Sequence, residues 1–260
     1  MTTQALVVVL VALSAPADDA VTKCPISGKP AKPEISLFSE GKRVGFCCPD
    51  CRRIFAAQRE NRLTREEKNA GWRLGFNGKD LKGYRKPTRT GKWEVRAGVI
   101  TGFGGPGVLA TKESFDHFEL SADLRVRDTG KRRGNSGIFI RSTGLTALRG
   151  RWPDGPEIQV DHGDPKFWTG AIWKTARAKK VKTRDGEWFR MRVEARGSKI
   201  RVWVNEQLVT DHDQEGDVVS GPIAFQVHHP TDLVEIKNLK IRRIAAREER
   251  EDTVKNRTGS

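Results

Sequence analysis

The protein has 260 residues, 36% of them hydrophobic and 31% charged, with 48 Lys and Arg against 33 Asp and Glu and a formal net charge of +15. That hydrophobic share excludes a disordered chain, and the length suits one large β-domain or a medium domain with a small companion. The charge favours anionic partners in general, but the basic residues are interspersed with acidic ones. They are densest at Lys131-Arg132-Arg133 and from Lys174 to Arg184, both expected as solvated loops, so no specific nucleic-acid partner is read from them.

In chain order, residues 1–17 combine an apolar run from Ala5 to Leu13 with Ala15-Pro16-Ala17 ahead of two aspartates. This is the pattern of a cleaved secretory signal, which places the mature protein in the periplasm or outside the cell. The run is too short to anchor the chain in a bilayer, so no stable membrane anchor is expected. All four cysteines fall between residues 24 and 51, which marks residues 22–57 as a small cysteine module separate from the rest. The polar stretch 58–70 (QRENRLTREEKNA) reads as a linker or short helix, and residues 245–260 as a charged, frayed tail.

From Gly71 the texture changes to short runs in which apolar residues alternate with polar ones. Examples are Phe118 to Val126, Ser136 to Arg141, Glu157 to Asp161, Phe189 to Ala195, Lys199 to Val204, Pro222 to Val227 and Val234 to Ile244. Period-two alternation rich in β-branched and aromatic residues predicts strands, and their number and spacing predict a mainly-β sandwich over residues 71–244. Arg196-Gly197-Ser198 and Val204-Asn205-Glu206 read as turns between successive strands.

Three of these strands offer a polar face. In GPEIQVDHG, Glu157, Gln159 and Asp161 project to one side while Ile158 and Val160 project to the other. In Ser136 to Arg141 the side carrying Arg141 opposes Ile138 and Ile140. In Pro222 to His228, Gln226 and His228 oppose Phe225 and Val227. If the three neighbour one another, Arg141, Glu157, Gln159, Asp161, Gln226 and His228 line one groove. Trp173 is a candidate to offer its ring to the apolar face of a sugar, and Asn135 is a substrate contact or a turn residue. The tryptophans at 72, 93, 152, 188 and 203 are expected in packing or turns.

Two resemblances add to this reading. In CPISGKPAKPEISLFSEGKRVGFCCPDCRRIF, twenty-two residues separate Cys24 from Cys47 and three separate Cys47 from Cys51, with Gly45-Phe46 before and Phe55 after. The stretch resembles the YHS/TRASH family of small metal-binding domains, which implies Cys24, Cys47 and Cys51 as ligands for zinc or copper, with Cys48 an additional thiol. A disulfide is the alternative in an oxidising compartment. The segments GWRLGFNGKDLKGYR, GKWEVRAGVITG, NSGIFIR, PEIQVDH, TGAIW, GEWFRMRVEARGSKIRVWVNEQLVTD and GPIAFQVHH, in order over residues 71–244, resemble the 3-keto-disaccharide hydrolase-like domain. That resemblance implies a concanavalin-like jelly roll with carbohydrate on its concave sheet, and a 3-keto-glycoside as substrate.

The ketone of such a sugar acidifies the C2 proton, so its removal gives an enolate that expels the C1 substituent. A base near C2, a positive group at the enolate oxygen and an acid for the leaving group are needed. His228 or Glu157 is expected as base, Arg141 or a divalent cation at the groove as oxyanion stabiliser, and Asp161 as acid or metal ligand. Gln159 and Gln226 are expected to bind sugar hydroxyls. Hydrolysis by Glu157 and Asp161 as a carboxylate pair, and a lectin-like module without catalysis, are the competing readings.

Overall fold

The structure, a computed structural model, describes residues 23–39, 42–145, 152–217 and 219–246; the segment expected as a signal and most of the charged tail lie outside the described residues. The chain divides into two compact units, Met1–Ala56 and Ala57–Ser260. In the first, β1 (Lys32–Ser39) and β2 (Lys42–Phe46) form an antiparallel hairpin, followed by α1 (Pro49–Arg59). Its small core is Cys24, Phe46 and Cys51, flanked by Ile26, Ile35, Leu37, Val44 and Phe55, with the rings of Phe46 and Phe55 5.1 Å apart.

In the second unit, α2 (Arg65–Asn69) opens with a capping box at Thr64 and Glu67. The short β3 (Arg73–Leu74) and β4 (Thr88–Arg89) follow, then β5 (Lys92–Arg96), β6 (Val99–Phe103), β7 (Gly107–Phe115), β8 (Phe118–Asp128) and β9 (Asn135–Phe139). After these come β10 (Glu157–Asp161), β11 (Phe189–Arg196), β12 (Lys199–Val204), β13 (Gln207–Asp213), β14 (Gly221–Val227) and β15 (Asp232–Arg243). Residues 58–70 do not behave as a free linker. Glu60 and Glu67 pair with Lys237 and Lys240, and Asn61 exchanges hydrogen bonds with Asn238, so this stretch packs onto β15 as part of the larger unit.

Two antiparallel sheets make the sandwich. One has the order β10-β9-β14-β7-β4, and the other runs β13-β12-β11-β8-β15-β6-β5 with β3 paired to β15. The strands fit because their alternation is satisfied on the inner side: Leu120, Leu124, Val126, Ile138, Ile158, Val160, Val193, Phe225 and Ile236 meet in one buried cluster. The tight turn between β12 and β13 is carried by Asn205 and Glu206, both left-handed, as a two-residue hairpin requires. The five-stranded sheet turns its other face outward, and the polar halves of β10, β9 and β14 lie side by side there.

Candidate functional site

On the outer face of the five-stranded sheet is a cavity of about 350 Å³ lined by side chains of β10, β9 and β14 and of the loops beside them. The register builds its floor. Glu157, Gln159 and Asp161 of β10 pair with Phe139, Gly137 and Asn135 of β9, and Phe225 of β14 pairs with Ile138. Gln226, one residue on, therefore lies beside Gly137. The Glu157 side chain crosses β9 at that point, and Gln226 Nε2 donates to Glu157 Oε1 at 2.9 Å. A Cβ at position 137 would lie 2.8 Å from Glu157 Cγ and overlap its carboxyl, so only glycine leaves the crossing open. Ser136 secures the same strands by donating its hydroxyl to the Gln226 carbonyl at 2.6 Å.

The segment after β10 doubles back along its free edge. Thr169 N–H donates to the Asp161 carbonyl, Gly170 N–H to Gln159 and Trp173 N–H to Glu157, which sets the Trp173 ring at one end of the cavity, edge-on to Phe167 at 5.1 Å. Asp161 Oδ1 accepts the N–H groups of Gly163 and Asp164, an Asx turn that holds the loop in place. At the other end, Trp152 stacks on His228, with centroids 5.6 Å apart, and on Phe139 at 6.4 Å.

Burial sets the electrostatics. Glu157 is 8% exposed, and desolvation, only partly offset by the Gln226 hydrogen bond, pushes its carboxyl up to about 7. His228 is pulled below the ordinary histidine range, first by burial and then by the positive charge of Arg132, so its imidazole is neutral at pH 7. Asn135 Oδ1, Gln159 Oε1, Gln226 Oε1 and His228 Nδ1 are buried beside the cavity without a hydrogen-bond partner. Buried polar atoms in native folds are nearly always satisfied, so a set of orphans around one cavity marks where hydroxyls or waters bind.

The structure thus brings Asn135, Glu157, Gln159, Asp161, Trp173, Gln226 and His228 to one cavity. Arg141 is elsewhere. β9 ends at Phe139, and Arg141, with φ of 52°, turns the other way. Fully buried, its guanidinium donates to the carbonyls of Asp116 and Gly197 and to Gln214 Oε1, tying three loops together. Strand alternation stops holding where the strand stops, so this candidate is corrected to a structural staple. Trp152 and Asp164, which line the cavity, were missed, since Trp152 was expected in packing or turns.

The groove residues named as metal ligands in the sequence are set against the described clusters of ligand atoms. Glu157, Asp161 and His228 do not converge, and the three-residue group whose ligand atoms lie within 4.8 Å of one another is Cys24, Cys47 and Cys51. There, Cys47 Sγ is 3.6 Å from Cys51 Sγ and 3.8 Å from Cys48 Sγ, and all four cysteines are free thiols. Thiolates around tetrahedral zinc, with bonds of about 2.3 Å, stand about 3.8 Å apart, so the cluster has the spacing of a thiophilic metal site. Burial raises the Cys24 thiol, but hydrogen bonds from Ser27 and from nearby backbone outweigh it and bring it down to about 6. Burial and the neighbouring thiols push Cys51 up to about 12.

A two-sheet sandwich with an acid-floored, tryptophan-ended groove on one sheet defines the class. The chain belongs to the family of the 3-keto-alpha-glucoside-1,2-lyase-like domain, whose model matches residues 71–242. Two crystal structures from Parabacteroides distasonis ATCC 8503, of proteins provisionally named glycosyl hydrolases, share the fold. One is 23% identical, covering 71% of this chain and 99% of that one at a TM-score of 0.60. The other is 24% identical, covering 66% and 99% at 0.55. No curated protein matches the chain. No helix among the described residues is long and apolar enough to cross a membrane.

Proposed function

We propose that the protein is an exported enzyme that cleaves the glycosidic bond of a 3-keto-glycoside by removing the C2 proton and eliminating the C1 substituent. The observation that carries this reading is Glu157: a carboxylate buried at the groove floor, held across Gly137 by Gln226, and poised near neutrality. The family name points to the same bond. In this reading the Glu157 carboxylate takes the proton from C2 and the C3 oxygen carries the enolate charge. The C1–O bond then breaks as the C1=C2 double bond forms and the ketone is restored. The leaving oxygen takes up a proton, from Glu157 itself or through the neutral His228. A base with its pKa near the working pH is the efficient choice for such a step.

Gln159, Gln226 and Asn135 supply hydrogen bonds to the sugar, their orphan oxygens accepting from hydroxyls, and Trp173 offers an apolar face to the ring. No step is assigned to Arg141. In the same reading the cysteine cluster is a YHS-like site whose Cys24, Cys47 and Cys51 hold zinc or copper, separate from the chemistry.

The test is to incubate the protein with a 3-keto-glucoside carrying a chromogenic phenol and with the unoxidised glucoside, in deuterated water. Release from the keto sugar alone, with an unsaturated keto sugar as product, supports elimination. A saturated 3-keto-glucose as first product, with no exchange at C2, supports hydrolysis. Binding of the sugar without release of phenol turns the groove into a lectin-like site.

A further inference from the structure

The groove has an acidic floor and a cationic mouth. Arg89 lies on β4, at one edge of the five-stranded sheet, with its guanidinium 4.6 Å from the Trp152 ring. Lys174 lies past the opposite edge, next to Trp173, with its ammonium 6.0 Å from that ring. Both have left-handed backbone, with φ of 66° and 60°, a region that residues other than glycine, asparagine and aspartate rarely take.

Both are exposed, and neither has a carboxylate within ion-pair distance among the described residues. On the eight-stranded sheet, Arg125 pairs with Glu235 at 2.6 Å, Arg190 with Asp123 at 2.8 Å and Arg242 with Glu119 at 2.7 Å.

We infer that the substrate's leaving group carries an anionic substituent, a carboxylate or sulfate, received at the mouth by Arg89 and Lys174. The inference rests on the reading of the groove as a keto-glycoside site and names its substrate class. Charge orients the ligand: the acidic floor takes the neutral keto sugar and repels the anion, which the cations draw to the rim. Arginine over an aromatic ring can stack and still offer its forked N–H donors to an oxyanion.

The experiment compares two 3-keto-glucosides whose phenolic leaving groups bear a para carboxylate or a para carboxamide, from about 0.02 M to 1 M salt. Each substrate is its own control for intrinsic reactivity. The acid is expected to lose about tenfold in kcat/KM across that range, mainly through KM, while the amide stays within about twofold. Arg89→Asn and Lys174→Asn, which suit the left-handed backbone, should each remove part of this salt response, and the double variant most of it. An acid whose kcat/KM follows salt no more than the amide's, or a salt response that both variants leave intact, overturns the inference. Turnover of the amide reports on the keto-glycoside reading by itself. If neither compound is cleaved, that reading fails, and calorimetry with the two unoxidised glucosides over the same salt series decides the inference.

Discussion

Glu157 is charged only against the cost of leaving water, and that cost appears as a pKa of about 7 in place of about 4.5. A raised carboxyl binds its proton more tightly in the folded chain than in the unfolded one. Its contribution to stability is fully present below about 4.5 and is lost as pH rises through about 7. Asp232, buried and raised to about 6, acts with the same sign. Glu157→Gln should therefore flatten the pH dependence of stability between these limits, by roughly 3 kcal/mol, in denaturant melts at pH 4.5 and 7.5. The same variant should lose about 10²- to 10⁴-fold in turnover of the keto sugar. A wild-type rate that does not fall as pH drops below 7 would remove Glu157 as the base. Gly137 supplies a second residue-scale test. Gly137→Ala puts a methyl where the Glu157 side chain crosses, so the hydrogen bond to Gln226 must break. Turnover should fall at least tenfold, with a stability change of about 1–3 kcal/mol by thermal melt.

Among elements, β9 shows how far a strand pattern can be trusted. Its alternation holds from Asn135 to Phe139, where β10 and β14 pair on either side, and it fails at Arg141, where pairing has ended. The pattern located the groove and misassigned the residue one step past the strand. Arg141→Met keeps the apolar stem and removes the guanidinium, leaving the carbonyls of Asp116 and Gly197 without their donor. The expected outcome is a loss of about 2–4 kcal/mol in urea unfolding, with kcat per folded molecule nearly unchanged. A variant of normal stability and collapsed kcat would return Arg141 to the chemistry. The loop after β10 shows the converse case. TGAIW belongs to none of the predicted strands, but its backbone bonds along β10 make it the arm that carries Trp173.

At the scale of the whole molecule, the two compact units carry different chemistry: clustered thiols in one, oxygen and nitrogen donors and acceptors in the other. Metal binding should therefore follow the thiols alone. Cys51→Ser in the full chain should abolish stoichiometric zinc or copper(I) binding in a competitive chromophore titration, because three convergent sulfurs become two. Binding that persists in Cys51→Ser would point to a donor set outside this cluster.

The sandwich and the polar face of its five-stranded sheet were legible in the amino-acid sequence, because a strand's period of two writes its burial pattern directly into residue order. Glu157, Gln159, Asp161, Gln226 and His228 could be grouped for that reason, and the cysteines for their spacing. Trp152 and Asp164 could not, since they reach the cavity from loops, where no period links position to direction. Nor could the sequence tell that Gly137 is a passage for Glu157, that Arg141 faces away, or that Arg89 and Lys174 stand over the two tryptophans. Those facts depend on strand order, register and burial, which arise only when residues far apart in the chain are packed together. Residue order determined the layers and the face that bears the polar groups. Tertiary packing decided which of those groups meet, and which carboxylate is buried deeply enough to hold its proton up to about neutral pH.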